Sequence, residues 1–262
     1  VNSRETNQEK RRRWQEALET QIAQPEDPLL VYTFRRSWNT SARPISARCI
    51  DKRDYIVKGQ QAGRQIVNEQ IVARLGIALN APVGEPKIVE ISPDLLELDP
   101  LFNYLTPGSA HATLFIPNCF DNRDLSKVYT DQPENRLRFA LLCVLYGWVQ
   151  AKDHQFIFQK NRPNLVYSVD HGHFFPGGPN WTENDLEQAS AATLDERLRS
   201  ACHFTTDTEE IQTALSQLSN ITETQIIQAV AASPAEWDFT IKERVTMIEY
   251  LIIRQGELVQ LL

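Results

Sequence analysis

Along the chain, a mostly polar stretch of helical composition comes first, over residues 6–24, and stops at the proline-rich "QPEDP". Short β-type runs follow at 29–34, 44–50 and 55–58, and the "DKRD" between the last two is short enough for a hairpin turn. After Gly59 the period changes. Ile66, Glu69, Val72, Ala73 and Leu75 recur as on a helix until "LNAPVGEP" breaks the run, and 87–91 reads as another strand. Residues 95–135, punctuated by Pro100, Pro107, Pro117 and Pro133, are expected to form short helices or irregular loops. A strongly apolar run over 134–149 predicts a central helix. "QFIFQ" and "NLVYSV" then read as two strands around a turn at 160–164. Helical patterns at 183–191, 206–218, 222–232 and 240–260 complete the chain. Strands first and helices after make the class α+β.

Composition narrows the function classes. The 262 residues are 42% hydrophobic and 23% charged, as in an ordinary globular protein, with a formal net charge of -7. That balance argues against broad binding to nucleic-acid phosphates. The one basic run, "EKRRRW", reads as a solvated helix face, with Glu16 at helical spacing from Arg12 and Arg13. Cys49, Cys119, Cys143 and Cys202 are scattered without metal-ligand spacing, which suggests free thiols in a reducing compartment. The longest apolar stretch, 139–149, is too short to span a bilayer. The expectation is a cytoplasmic protein without membrane or direct nucleic-acid partners.

The chemistry gathers around the predicted hairpin. Pairing 155–159 against 165–169 brings Asp153 and Asp170 to the same end, where two carboxylates repel unless a proton or a cation lies between them. Three readings fit: solvated strand-end acids, a transition-metal site using His154, His171 and His173, or a Mg²⁺ site serving a phosphate substrate. The upstream sheet favours the third. Lys58 ends the apolar "DYIVK", so its ammonium needs an anion, and Glu69 on the following helix can face back to it. A buried lysine paired with a helix glutamate and aimed at a carboxylate-held Mg²⁺ is a phosphotransferase arrangement.

These residues sit in stretches that resemble the HipA-like kinase family, within the wider protein-kinase-like and phosphatidylinositol-kinase-like group: "RPISARCIDKRDYIVKG", "IVNEQIVARLGIALNAPVGEP", "GWVQAKDH", "YSVDHGHFF" and "SPAEW" with the helix after it. The resemblance implies a bilobal fold, with a small antiparallel sheet plus one helix in the N-lobe and a mainly helical C-lobe. Its divisions would be a helical extension at 1–27, the N-lobe at 28–118 and the C-lobe at 119–262. It implies ATP and Mg²⁺ as ligands. Lys58 would contact the phosphates and Glu69 would orient it. Asp153 would position an acceptor hydroxyl and take its proton, and Asp170 would bind the metal.

The chain also departs from the family pattern. The asparagine that kinases place five positions after the catalytic aspartate is Phe158 here, and the family's usual arginine after that aspartate is His154. The phosphate-covering "RRSWNTSARP" has no glycine, although backbone amides of 37–42 could approach phosphates, with contacts from Ser41 or Arg43. The expectation is therefore a kinase acting on a hydroxyl acceptor, a protein serine or threonine among the candidates, with weak or one-metal turnover. Phe158→Asn is expected to restore metal dependence if the missing ligand limits activity. The alternative is an impaired pseudokinase acting through nucleotide or partner binding, with a histidine-metal hydrolase behind both.

Overall fold

A computed structural model describes residues 5–122 and 125–262. Helix α1 (Asn7–Ile22) starts at a capping box between Thr6 and Glu9 and buries Trp14 and Leu18. Its basic run is ion-paired: Arg12 faces Glu16, Arg13 reaches Glu223, and Arg11 reaches Glu249.

Strands β1 (Leu29–Ser37), β2 (Ile45–Cys49) and β3 (Asp54–Lys58) form an antiparallel meander, and helix α2 (Gln65–Ala78) follows β3. Strand β4 (Pro86–Ile91), helix α3 (Pro93–Leu98) and strand β5 (Gly108–Leu114) come next. The strand order is β1-β2-β3-β5-β4, closed into a barrel by parallel pairing of Leu29 with Val89 and of Leu30 with Glu90. This corrects the expected small antiparallel sheet. Closure removes both sheet edges and encloses a core that includes Ile45, Val57, Val89, Ala110 and Ala112.

The stretch 95–135 is corrected as well, because it contributes β5 and the short β6 (Cys119–Asp121) in addition to helices. In "GSAHATL" the residues turned into the barrel are alanines, while Ser109, His111 and Thr113 alternate on the other face. No alternation of large apolar and polar residues is therefore visible in β5.

After the short α4 (Lys127–Thr130), helix α5 (Pro133–Val149) is buried through most of its length. It packs on strands β7 (Gln155–Gln159) and β8 (Val166–Val169), which pair in the expected register, Gln155 opposite Val169. Helices α6 (Glu183–Glu187), α7 (Glu196–Ala201), α8 (Glu209–Ser219), α9 (Glu223–Ala231) and α10 (Ile241–Val259) follow; α7, α8 and α10 pack on α5, and α6 and α9 pack on α10. On α10, Ile248, Leu251 and Leu258 are fully buried, so its apolar stripe is core. Buried Arg254 secures α10 by donating to the carbonyls of Gly147, Trp148 and Ser190. Among the described residues no helix is long and apolar enough to cross a membrane, and all four cysteines are free.

Helix α2 lies at the centre of the architecture. The ten residues it buries lie on every side, with β4 and β5 against one part and α5 and α9 against another. Its apolar residues belong to the core of the helical part, together with Trp14 and Leu18 of α1. The larger core therefore passes through the first hundred residues as well as the last hundred and forty.

Candidate active site

Lys58 is the last residue of β3, in register with His111 of β5, and is only 6% exposed. Its Nζ donates to Glu69 Oε1 on α2 and, at 2.5 Å, to Asp170 Oδ1 just beyond β8. Burial pulls the Lys58 ammonium down, but the charges of Glu69 and Asp170 outweigh it and hold the lysine above its ordinary pKa. Burial pushes Glu69 the other way, and the charge of Lys58 overcomes it, taking that carboxyl down to about 2. The pair is charged at neutral pH.

Glu69 and its neighbour Asn68 also grip the segment after Asp170. The Gly172 amide donates to Glu69 Oε1 at 3.1 Å, and the Gly172 carbonyl accepts from Asn68 Nδ2 at 2.9 Å. The same amide nitrogen reaches the Phe174 carbonyl at 3.0 Å, while Asn68 Oδ1 accepts from Trp181 Nε1 at 2.9 Å. Gly172 lies so close to α2 that a Cβ there would meet the Gln65 Cβ at 2.9 Å. Lysine, helix and aspartate segment thus form one hydrogen-bonded unit.

The hairpin brings the two aspartates together. Gln155 Nε2, at the start of β7, donates at 3.0 Å to both Asp153 Oδ2 and Asp170 Oδ2. Both aspartates adopt left-handed backbone, with φ of 50° at Asp153 and 62° at Asp170. Such conformations are uncommon for residues other than glycine, asparagine and aspartate. Asp153 is exposed and Asp170 half-buried.

Beside this cluster lies a cavity of about 350 Å³. Ile56, Leu114, Ile116, Ile157 and Val169 give it apolar walls, and Lys58, Asp170 and His171 line its charged end. Trp38 and Thr40, from the β1–β2 connection, also line it. From the same connection, Ser41 sits in an exposed turn and Arg43 stacks its guanidinium 3.4 Å from the Tyr104 ring centre; neither is among the residues lining the cavity.

The three histidines go to separate places. His154 Nε2 bonds Asp195 Oδ2 at 2.8 Å against the edge of Tyr146. His171 is buried, with Nε2 2.8 Å from Ser168 Oγ, and burial pushes its pKa down so that the ring is neutral. His173 is half-buried further along the segment. Among the described residues no group of three or more His, Cys, Asp or Glu could hold a metal, and the histidine-metal reading has no geometric support. Phe158 is fully buried against Tyr129, Phe120 and Phe139, on the face of β7 opposite Gln155. It replaces no ligand, because its side chain faces the core.

The donors at the hairpin end do fit a hard cation that completes its shell with phosphate and water. Two carboxylate oxygens converge there on one nitrogen, and Mg²⁺ commonly takes one or two carboxylates beside substrate oxygens. Asn68 and Gln155, the amides that organise the site, escaped the sequence reading. The signal for Asn68 was its place beside Glu69; that for Gln155 was the period-two alternation of β7.

Fold comparison gives kinases. The proinflammatory kinase CtkA of Helicobacter pylori superposes with a TM-score of 0.58 at 11% identity, over 89% of this chain and 96% of its own. The Golgi casein kinase gives 0.51 at 10% identity, over 95% of this chain and 76% of its own. No curated protein matches the chain. The HipA-like kinase profile matches residues 30–259, which is most of the sequence and includes every residue of the cluster described above. The chain belongs to the HipA-like kinase family.

Proposed function

We propose that this chain transfers the γ-phosphoryl group of ATP to a hydroxyl acceptor. The observation that carries the reading is the buried Lys58 ammonium, held between Glu69 and Asp170 at the charged end of an apolar cavity. The apolar walls suit a base, and the charged end suits phosphates. Lys58, kept protonated by its two carboxylates, neutralises phosphate oxygens, and Glu69 fixes its direction. Asp170 would hold Mg²⁺, which supplies charge neutralisation to the phosphates when bound. Asp153, exposed and linked to Asp170 through Gln155, receives the acceptor hydroxyl, aligns it in line with the γ-phosphorus and accepts its proton. The β1–β2 connection covers the phosphates through backbone amides of 37–42, with Ser41 and Arg43 as supporting contacts. In this reading the barrel and α2 form the N-lobe, with the boundary near residue 118, and the acceptor docks on the helical C-lobe.

A second reading is a nucleotide-binding pseudokinase, favoured by the glycine-free β1–β2 connection and by a core-facing Phe158. A thermal-shift titration with ATP, with and without Mg²⁺, separates the cases from a protein that binds nothing. Near 100 times the dissociation constant the fold should gain about 2.7 kcal/mol. A Mg²⁺-dependent gain, lost in Asp170→Asn, together with transfer of labelled γ-phosphate to protein supports the kinase. The same gain without ADP formation supports the pseudokinase, and no gain overturns both.

A further inference from the structure

Kinases hold their metal with an oxygen from the catalytic loop as well as with the aspartate beyond the hairpin. The expected position for that oxygen is Phe158, whose ring is locked in the core. Strand alternation leaves Gln155 and Ile157 facing the cleft, and only Gln155 of these carries a ligating atom. Its Nε2 stands between the carboxylates of Asp153 and Asp170, where partial positive charge offsets their repulsion.

We propose that Gln155 is the metal-ligating amide of this kinase. The inference rests on the phosphotransferase reading above. A half-turn about the last side-chain torsion exchanges Nε2 for Oε1 without moving the backbone, and that torsion is broad and nearly two-fold. In the metal-free state the amide presents nitrogen and satisfies both aspartates. With a divalent cation held on Asp170, the amide N–H groups would face like charge, so the amide would turn over and present its carbonyl oxygen as a second protein ligand. The same rotation removes an N–H donor from Asp153 Oδ2, the oxygen needed to accept the proton of the acceptor hydroxyl.

The test is Mn²⁺ binding by the full chain, read from the free-ion electron paramagnetic resonance signal, alone and with saturating ADP, for wild type, Gln155→Leu and Gln155→Glu. Loss of a ligand should weaken Mn²⁺ binding about ten- to hundred-fold in Gln155→Leu. Gln155→Glu keeps an oxygen, so it should bind Mn²⁺ at least as tightly as wild type, while its metal-free melting temperature falls through crowding of three carboxylates. Wild-type affinity in Gln155→Leu overturns the inference alone, as does an equal loss in both variants, which would mark the amide as a donor only. Absence of Mn²⁺ binding by wild type with ADP overturns the phosphotransferase reading and this inference together.

Discussion

Lys58 Nζ and Asp170 Oδ1 meet at 2.5 Å across 112 residues of sequence, and the same ammonium holds Glu69 in the interior. Lys58 therefore carries structural charge balance as well as its proposed phosphate contact. Lys58→Met should abolish phosphoryl transfer and also destabilise the fold by about 3–5 kcal/mol, because it leaves a buried, unpaired carboxylate. Adding Glu69→Gln to that variant should recover much of the melting temperature without recovering transfer. Chemical denaturation of the single and double variants checks it; additive losses would contradict the pairing.

Acid should weaken the protein before its carboxylates titrate. Burial, against the pull of Glu69, pushes His111 from 6.5 down to about 3, and burial lowers His171 too. Both rings are neutral in the fold but take up protons in the unfolded chain below about 6.5. Their contribution is complete above that pH and is lost as pH falls toward the folded values, at up to about 1.4 kcal/mol per pH unit for each ring. Glu69, with its lowered pKa, adds a loss in the same direction only below about 4.5. Urea midpoints between pH 7 and 5 should drop for wild type and drop less for His111→Asn.

Asn68→Ala should cost about 3 kcal/mol or more, since it strands the carbonyls of Gly172 and Phe174 and the Trp181 indole N–H in a dry interior. Trp181 reports on this directly. Its emission should change in the variant, and hydrogen exchange over 171–182 should accelerate. Unaltered exchange there would show that the segment is held by other contacts.

Phe158→Asn, attractive from the sequence, should fail as a repair. The fully buried ring sits 4.5 Å from Tyr129 by centroid in an aromatic cluster, and replacing it with an amide should cost about 3 kcal/mol or more. Mn²⁺ affinity of whatever folds should not rise. A gain in affinity would mean that β7 can turn over in place.

Much of the cluster was legible because the signals were local. Alternation in 155–159 and 165–169 fixed the hairpin, and the hairpin joined Asp153 to Asp170; "DYIVK" and the helix after Gly59 then supplied Lys58 and Glu69. Barrel closure was not legible, because the β1–β4 pairing joins residues some sixty positions apart through a parallel contact that no turn announces. Strand β5 was hidden by its own duties: Ser109 bonds Glu236, and His111 contacts Gln70 and Thr113. The spacing of Ile66, Glu69, Val72, Ala73 and Leu75 marks α2 as a helix, but nothing in it marks its polar Asn68 and Gln70, which are buried as completely as its apolar residues. Buried amides carry no periodic signal. Their partners are backbone groups distant in sequence.

A helix enclosed on all sides has a consequence for how ligands are received. In many kinases the corresponding glutamate helix swings, and ordering it consumes part of the affinity for nucleotide. Here α2 is packed between barrel and helices, and its Asn68–Glu69 pair already grips Gly172, so that rearrangement would require opening the core. The conformational entropy of assembling the site is thus spent during folding rather than at binding. Nucleotide should enter a finished receptacle, with little change in hydrodynamic radius and a heat-capacity change no larger than the contact surface itself accounts for.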